Sequence, residues 1–337
     1  MPDRILVTGA SGFIAAHAIL ELLDHGYEVR GTLRDLSKAE HIRAVLGQYN
    51  HKASTIEFVS ATLTDRNCWN AAVHGCDGIF HLASPVPIEQ PRDPDELVIP
   101  ARQGALNVLR AAQLAGIKRV VMTSSVYAVI YHANAESRKQ TGNDWTDLST
   151  PGLTPYAISK TVAEQAARDF AETADGIELV TVLPSLVLGP ALEPDYGSSL
   201  EALLLLLNGS YPLLPKLGFA IVDVRDVASL LRIAYEAPEA AGQRLICSSD
   251  FRWFVDISKQ LVNEFPDYKK QLPTRQIPNA LVKVLARFDK VIAYILSDLD
   301  RVIEYDCTPA ESLGWRPRSA EEAISAGARS LIELGLV

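Results

Sequence analysis

The sequence is poor in cysteine, in long hydrophobic runs and in positive charge. Its 337 residues contain only four cysteines, which lie far apart without metal-ligand spacing, so we expect reduced thiols and no metal site. The longest apolar run, Ala202–Leu207, is far too short to cross a bilayer, so we expect no membrane partner. The net charge of −9 argues against nucleic acid and anionic membranes as partners.

The remaining composition is typical of a soluble globular protein. Hydrophobic residues make up 48% and charged residues 22% of the chain. The length allows one large domain and a smaller one. The first residues, MPDRILVTGA, follow a strand pattern and not the basic and apolar regions of a secretory signal. We therefore expect a cytoplasmic protein, either a monomer or a homodimer.

Short β-branched runs alternate with amphipathic helical patterns through the first half of the chain. This alternation predicts parallel βαβ units and an α/β fold, a Rossmann-type doubly wound parallel sheet. Its strands would end at one common edge, where ligands bind. The predicted strands are Ile5–Val7, Glu28–Leu33, Ile56–Ser60, Gly78–Leu82, Arg119–Thr123 and Glu178–Leu183.

The alternation breaks after Pro184, where proline becomes frequent and a leucine-rich helix, Leu200–Leu207, follows. We predict a Rossmann domain of residues 1–188 plus about 220–249. Residues from about 189–219 plus 250–337 would form a smaller, mainly helical substrate lobe. Two further strands, Ala220–Val224 and Arg244–Ser248, are expected to rejoin the sheet.

A glycine-rich turn follows the first predicted strand. In ILVTGASGFIAA (5–16) the strand runs into Gly9-x-x-Gly12 and a helix follows, with Ala15 at the third position of the motif. The glycines would let the backbone approach a pyrophosphate at the helix N-terminus. An ordinary tight turn is the alternative, but the βαβ context favours a dinucleotide site.

A basic residue ends the second strand. Arg34 lies 22 residues after Gly12, where an NAD site would place an acidic residue for the ribose 2′-hydroxyl and an NADP site an arginine for the 2′-phosphate. Lys38 follows four residues later. We therefore predict NADPH as the cofactor. The adjoining Asp35 would either cap the next helix or turn towards the ribose and let NADH compete.

A serine, a tyrosine and a lysine are expected to meet at the same edge. The strand Arg119–Thr123 ends in Ser124-Ser125, and Tyr156 and Lys160 share one face of a helix that starts after Thr154-Pro155. Tyr-x-x-x-Lys can occur by chance, so the pair is informative only beside this strand end and the glycine turn. A nearby ammonium favours the phenolate and would lower the pKa of Tyr156.

Seven motifs spread over nearly the whole chain carry a specific resemblance. They are TGASGFIAAH (8–17), GTLRDLSKA (31–39), GCDGIFHLASP (75–85), VVMTSS (120–125), PYAISK (155–160), VLPSLVLGP (182–190) and LGWRPRSAEEAI (313–324). With them the chain resembles the extended short-chain dehydrogenases/reductases. The resemblance is to the group of dihydroflavonol 4-reductases, cinnamoyl-CoA reductases and fungal NADPH-dependent aldehyde and ketone reductases.

The resemblance implies roles for individual residues. Ser125, Tyr156 and Lys160 would be the catalytic triad. Besides Tyr156 and Lys160, the implied cofactor contacts are Gly9, Gly12, Phe13 and Ile14 at the pyrophosphate, Arg34 and Lys38 at the 2′-phosphate, Thr62 and Leu63 at the adenine, and Ala83, Pro184, Val187 and Ser199 towards the nicotinamide. Thr62 replaces an aspartate usual in the family. The expected substrate pocket is apolar, with Val86, Pro87, Ser125, Tyr127, Leu186 and the region Leu200–Phe219.

These features predict reduction of a hydrophobic aldehyde or ketone by NADPH, with Tyr156 as proton donor. A nucleotide-sugar epimerase or dehydratase that retains NAD is one alternative. It would need a basic pocket for a diphosphate, whereas Leu200–Phe219 contains only Lys216 as a cation. A non-enzymatic NADP-sensing protein is another, but it would not need Tyr-x-x-x-Lys.

Three further residues have mainly structural interpretations. We expect His81 to be a packed histidine at a strand end and Asp226 to cap the helix Val227–Tyr235. Trp145 would either line the site or anchor its polar loop.

Overall fold

A computed structural model describes residues 3–86, 91–133, 135–288 and 295–337. The strands of these ranges are β1 (Arg4–Thr8), β2 (Glu28–Leu33), β3 (Glu57–Ser60), β4 (Gly78–His81), β5 (Arg119–Thr123), β6 (Glu178–Pro184), β7 (Leu186–Leu188), β8 (Gly218–Asp223), β9 (Arg244–Cys247) and β10 (Phe251–Trp253). The helices are α1 (Phe13–Asp24), α2 (Ala39–Gly47), α3 (Asn67–Val73), α4 (Asp95–Ala115), α5 (Pro155–Thr173), α6 (Glu201–Leu207), α7 (Val224–Glu236), α8 (Phe254–Glu264), α9 (Asn279–Leu285), α10 (Thr308–Ser312) and α11 (Ala320–Glu333). Within these ranges, no helix combines the length and apolar character needed to cross a membrane.

Seven parallel strands form the main sheet in the order β3-β2-β1-β4-β5-β6-β9. The chain builds outward from β1 to β3 on one side and then from β4 to β9 on the other. The strand order therefore reverses between β1 and β4, and their carboxyl ends open a crevice at this switch point. The predicted Rossmann-type α/β fold is confirmed.

Apolar helix faces cover both sides of the main sheet. Helices α1 and α7 pack on one side, and α3, α4 and α5 pack on the other. A third cluster of buried side chains joins α6, α8 and α11. Leu203, Leu206 and Leu207 of α6 lie in this cluster, so the leucine-rich stripe is core.

The expectation that Ala220–Val224 rejoins the main sheet is wrong. Strand β8 lies in a separate sheet of order β10-β8-β7, in which it runs parallel to β7 and antiparallel to β10. Only Ser185 separates β6 from β7, and the chain leaves the main sheet there. The predicted strand Arg244–Ser248 does rejoin the main sheet, as the edge strand β9. A propensity pattern identifies a strand but not its partner.

Asp226 does not cap α7, contrary to expectation. The helix starts at Val224, earlier than predicted, and Asp223 accepts the capping hydrogen bond from the Arg225 amide at 2.9 Å. Asp226 instead accepts a hydrogen bond from the Arg318 amide at 2.6 Å and pairs with the Arg318 guanidinium. These bonds attach the C-terminal segment to the helix that covers the main sheet.

Candidate active site

The glycine turn lies at the switch point of the sheet. Gly9 has φ +69°, and a Cβ built on it would lie 3.1 Å from the Cα of Ala83. A side chain here would therefore be strained and would push away the segment that follows β4. Gly12 precedes α1, and its amide donates to the Gly9 carbonyl at 3.0 Å.

A buried threonine fixes the ends of β1 and β4 against each other. The Thr8 hydroxyl oxygen accepts from the amides of Leu82 and Ala83, at 3.0 Å each, and lies 2.9 Å from His81 Nδ1. Burial lowers the pKa of His81 to about 3, so its imidazole is neutral. His81 is thus the packed strand-end histidine expected from the sequence.

The first turn of α1 faces this crevice. As in any helix, its first amides lack partners within the helix, and they include those of Phe13 and Ile14. The Phe13 side chain packs against His17, with ring centroids 5.6 Å apart, and Gly197 lies beside it. Free amides and the positive end of the helix dipole make this turn suitable for an anion.

Two basic side chains follow β2. Arg34 is exposed and forms no ion pair within the described ranges. Lys38 is also exposed, and its Nζ lies 3.9 Å from the Asp195 carboxylate. Asp35 accepts a hydrogen bond from the Ser37 amide at 2.9 Å, which lowers the pKa of its carboxyl. Asp35 therefore has the capping role, and Arg34 is available to a phosphate.

Thr62 and Leu63 follow the neighbouring strand, β3. Thr62 is exposed, and the Leu63 carbonyl accepts a hydrogen bond from the Asn107 side chain at 2.9 Å. The Leu63 side chain covers Gly104, where a Cβ would lie only 2.5 Å from it. The backbone is thus fixed close to α4.

The fold brings Ser125, Tyr156 and Lys160 together at the end of β5. Thr154 caps α5, accepting from the Ala157 amide at 3.1 Å, with a proline at the first helical position as predicted. Ser125 and Tyr156 share a side-chain hydrogen bond. The Lys160 Nζ lies 5.8 Å from the centre of the Tyr156 ring and 3.4 Å from the Thr123 carbonyl, to which it donates.

The expected lowering of the Tyr156 pKa is wrong for this structure. Burial raises the pKa of Tyr156 to about 12, against the opposing effect of the Ser125 hydrogen bond. Burial also lowers the pKa of Lys160 to about 8, although Glu164 opposes this. The ammonium and the phenol are both desolvated, and the burial of the phenol outweighs any attraction by the ammonium. At neutral pH Tyr156 therefore keeps its proton.

A cavity of about 370 Å³ lies against these side chains. Of the predicted site residues, Ile14, Val86, Ser125, Tyr127, Tyr156, Lys160, Pro184, Leu186, Val187 and Ser199 line it. Gly9, Gly12, Phe13, Arg34, Lys38, Thr62, Leu63 and Ala83 do not line the cavity but follow β1 to β4 along the carboxyl edge. Pro87 lies outside the described residues.

The cavity also contains residues that the sequence reasoning missed. Asp298, Arg301, Ile303 and Tyr305 line it, although they follow Tyr156 by more than 140 residues. No motif or spacing identifies them, because only the folding of the C-terminal segment over β5 places them there. Of Leu200–Phe219, only Gly218 and Phe219 line the cavity, so that part of the pocket prediction was too broad.

Trp145 anchors its loop and does not line the cavity. Its ring lies 3.6 Å from the Arg244 guanidinium carbon. The same guanidinium donates to the carbonyls of Gly142 and Asp144, at 2.8 and 2.5 Å. A cation packed on an indole face and bonded to the loop backbone holds the segment in place.

Comparison with known proteins identifies the family. Residues 5–246 match the model of the NAD dependent epimerase/dehydratase family. The match covers most of the chain, from β1 to β9. The protein belongs to this family, whose reductases and epimerases share the extended short-chain dehydrogenase/reductase fold.

Individual relatives extend the likeness. Cinnamoyl-CoA reductase 1 of Arabidopsis thaliana is 40% identical over 80% of this chain and 77% of its own. Tetraketide alpha-pyrone reductase 1 of the same plant is 35% identical over 98% of this chain and 96% of its own. Among solved structures, the yeast methylglyoxal/isovaleraldehyde reductase Gre2, complexed with NADPH, superposes with a TM-score of 0.82. It is 26% identical and covers 99% of this chain and 100% of its own.

The buried ammonium of Lys160 should lower the free energy of unfolding at neutral pH. Its pKa lies at about 8 in the folded chain and at about 10.4 in an unfolded one. The cost is therefore fully present below pH 8 and is lost as the pH rises towards the unfolded value. We expect Lys160→Met to raise the free energy of unfolding by roughly 3 kcal/mol at pH 7, with a smaller gain above pH 8.

Urea unfolding at several pH values measures this gain. Lys118→Met is the matched control, because Lys118 is an exposed lysine just before β5. A stability gain for Lys160→Met that does not change between pH 7 and pH 10 would contradict the prediction.

Proposed function

We propose that this protein reduces hydrophobic aldehydes or ketones to alcohols, with Tyr156 as the proton donor. The chain is an NADPH-dependent oxidoreductase of the extended short-chain dehydrogenase/reductase kind. The observation that carries the finer proposal is the convergence of Ser125, Tyr156 and Lys160 on a largely apolar cavity beside the glycine turn.

The residues present fit a dinucleotide cofactor. The absence of a Cβ at Gly9 lets β1 and the segment after β4 approach each other closely, and the first amides of α1, which have no partner within the helix, would bind a pyrophosphate. Exposed Arg34 suits a 2′-phosphate, and Lys38 would have to leave Asp195 to join it. At the other end, the hydroxyls of Thr123 and Ser185 are buried at the cavity without a hydrogen-bond partner among the described residues. Such hydroxyls suit the carboxamide of a nicotinamide.

The mechanism follows from the side chains at the cavity. NADPH, when bound, supplies the hydride to the carbonyl carbon. Ser125 donates a hydrogen bond to the carbonyl oxygen, and Tyr156 gives that oxygen its proton. A pKa of about 12 keeps the phenol protonated until the oxygen becomes basic during the reaction. The ammonium of Lys160 stabilises the phenolate that remains.

The lining of the cavity favours an uncharged, apolar substrate. Val86, Leu186 and Phe219 supply apolar surface near Tyr156. The charges of Asp298 and Arg301 compensate each other at 3.2 Å, and Arg301 also pairs with Glu136 at 2.8 Å. A hydrophobic carbonyl compound therefore leaves no charge unpaired.

The epimerase or dehydratase alternative finds less support. Lys216, the one cation in Leu200–Phe219, lies 2.5 Å from the Asp300 carboxylate and 5.3 Å from the centre of the Trp253 ring. It is thus already neutralised, and a nucleotide diphosphate would gain little from it.

The finer assignments from the sequence stay proposals. These are the cytoplasmic location, the choice between monomer and homodimer, and the division into a Rossmann domain and a substrate lobe. In that division residues 250–337 contribute Asp298 to Tyr305 to the substrate side.

Tyr156→Phe should lower turnover by ~10²–10⁴-fold, because it removes the general acid. The affinity for NADPH should stay nearly unchanged, since the phenol acts on the substrate. NADPH oxidation against aldehydes, ketoesters, diketones, aryl ketones and dihydroflavonols first identifies a substrate. Turnover of the variant is then measured with the best one.

The matched control is Tyr235→Phe, which removes the hydroxyl of a half-buried tyrosine that donates to Asp3 and does not line the cavity. Turnover by Tyr156→Phe equal to that of this control would refute the proton-donor role. A preference for charged or nucleotide-linked compounds would refute the substrate class.

Arg34→Ala should weaken NADPH binding at least tenfold, because each charge-assisted hydrogen bond to a phosphate is worth about 1.5–3 kcal/mol. NADH lacks the 2′-phosphate, so its affinity should change little. Fluorescence titration of both cofactors measures the difference.

Lys52→Ala serves as control for Arg34→Ala. It removes one positive charge just before the amino end of β3, whereas Arg34 follows the carboxyl end of β2. Equal affinity of the unaltered protein for NADPH and NADH would overturn the assignment of Arg34.

A further inference from the structure

A buried carboxylate lies one helical turn beyond Lys160. Glu164 of α5 is fully buried and accepts five hydrogen bonds, one of them from Arg244 Nη2 at 3.2 Å. The other donors are Ser124 Oγ at 2.5 Å, Arg244 Nε at 2.7 Å, Thr181 Oγ1 at 2.8 Å and Arg168 Nε at 3.4 Å. The cavity lining does not include Glu164, so the reaction described above does not use it directly.

The charges around Glu164 are unequal. Burial raises the pKa of Glu164, but the attraction of Arg244 and Arg168 outweighs burial, and the pKa lies below its ordinary value. The carboxyl is therefore ionised. Its negative charge interacts with three buried or half-buried cations, namely the two arginines and Lys160. Loss of the one negative charge would leave these cations to repel one another in a region of low dielectric.

The same carboxylate holds the strand end that bears the reactive groups. Its partner Ser124 lies between Thr123, whose carbonyl accepts from Lys160, and Ser125, which bonds to Tyr156. The Ser124 amide also donates to the Val182 carbonyl at 2.8 Å. A short bond from the hydroxyl of Ser124 to α5 thus ties the helix of Tyr156 and Lys160 to the strand of Ser125.

We propose that Glu164 is a positioning residue: its buried carboxylate, one helical turn from Lys160, supplies the charge that balances the ammonium, and its bond to Ser124 aligns β5 with α5. The inference rests on the proposed role of Lys160 in carbonyl reduction. Glu164 touches neither substrate nor cofactor and acts through its neighbours.

Few other groups act on the charge of Lys160. Among the residues that the structure describes, the groups that interact with it are Tyr156 and Glu164 from α5, His81 from β4 and the Thr123 carbonyl from β5. His81 is neutral, with its pKa lowered to about 3, and Tyr156 is protonated. Among these groups Glu164 alone is an anion that favours the ammonium.

The titration of Lys160 tests the proposal directly. Protein labelled with ¹³C at the lysine Cε carbons is titrated by NMR, and Lys160→Met identifies the signal. We expect Glu164→Gln, which keeps the shape and removes the charge, to lower the pKa of Lys160 by about one unit. Glu172→Gln is the matched control, since it removes an exposed carboxylate two turns further along α5. It should leave the titration unchanged. An unchanged Lys160 titration in Glu164→Gln overturns the proposal.

If Glu164→Gln does not fold, a second variant still tests the proposal. Arg168→Gln removes a half-buried cation beside the carboxylate. It should raise the pKa of Lys160, because Glu164 is then less neutralised. A fall in the pKa, or no change, contradicts the proposed charge balance.

Enzyme kinetics separate this inference from the proposed function. In Glu164→Gln, the fall of kcat/KM at alkaline pH should begin about one pH unit lower than in the unaltered protein. Glu164→Asp keeps the negative charge and should restore most of the original pH profile. If the unaltered protein reduces no carbonyl compound, the proposed function fails. The NMR titration still decides the effect of Glu164 on Lys160. Full kcat/KM with a wild-type pH profile in Glu164→Gln refutes the positioning role.

Discussion

A buried ammonium at the end of β5 constrains the rest of the site. Lys160 is 4% exposed and donates to the Thr123 carbonyl. Water cannot solvate the charge there, so protein groups must do so. The strand end supplies one acceptor, and the carboxylate of Glu164 supplies the opposing charge. Burial lowers the pKa of Lys160 and raises the pKa of Tyr156, so the stability cost of the ammonium and the protonation of the phenol have the same physical cause.

The second constraint is the close approach of β1 and β4. The Thr8 hydroxyl satisfies two amides after β4, and a glycine opposite Ala83 allows the backbones to touch. Together these contacts form a narrow crevice at the switch point, with free helix amides on one wall. A residue larger than glycine at position 9 would force the two backbones apart. This contact explains the glycine at position 9, which the sequence alone does not distinguish from the glycine of an ordinary tight turn.

The cavity is lined by residues from distant parts of the chain. Strands β7, β8 and β10 form a small sheet beyond the end of β6, and the segment from Asp298 to Tyr305 closes the cavity. The bonds between Asp226 and Arg318 fix the last part of the chain to α7. The composition of this cavity therefore depends on contacts that no local sequence pattern encodes.

The sequence by itself determined the parallel sheet, the glycine turn and the three residues at the end of β5. These follow from local periodicity, caps and spacing, since the helix that starts at Pro155 and the strand that ends at Thr123 are both specified by short segments. Arg34 and the capping Asp35 are equally local. Tertiary structure alone decided that β8 leaves the main sheet, that Asp298 and Arg301 enter the cavity and that Glu164 meets two arginines. It also reversed the expected pKa shift of Tyr156, because spacing reveals a neighbouring charge but not how much water the folded chain removes from both groups.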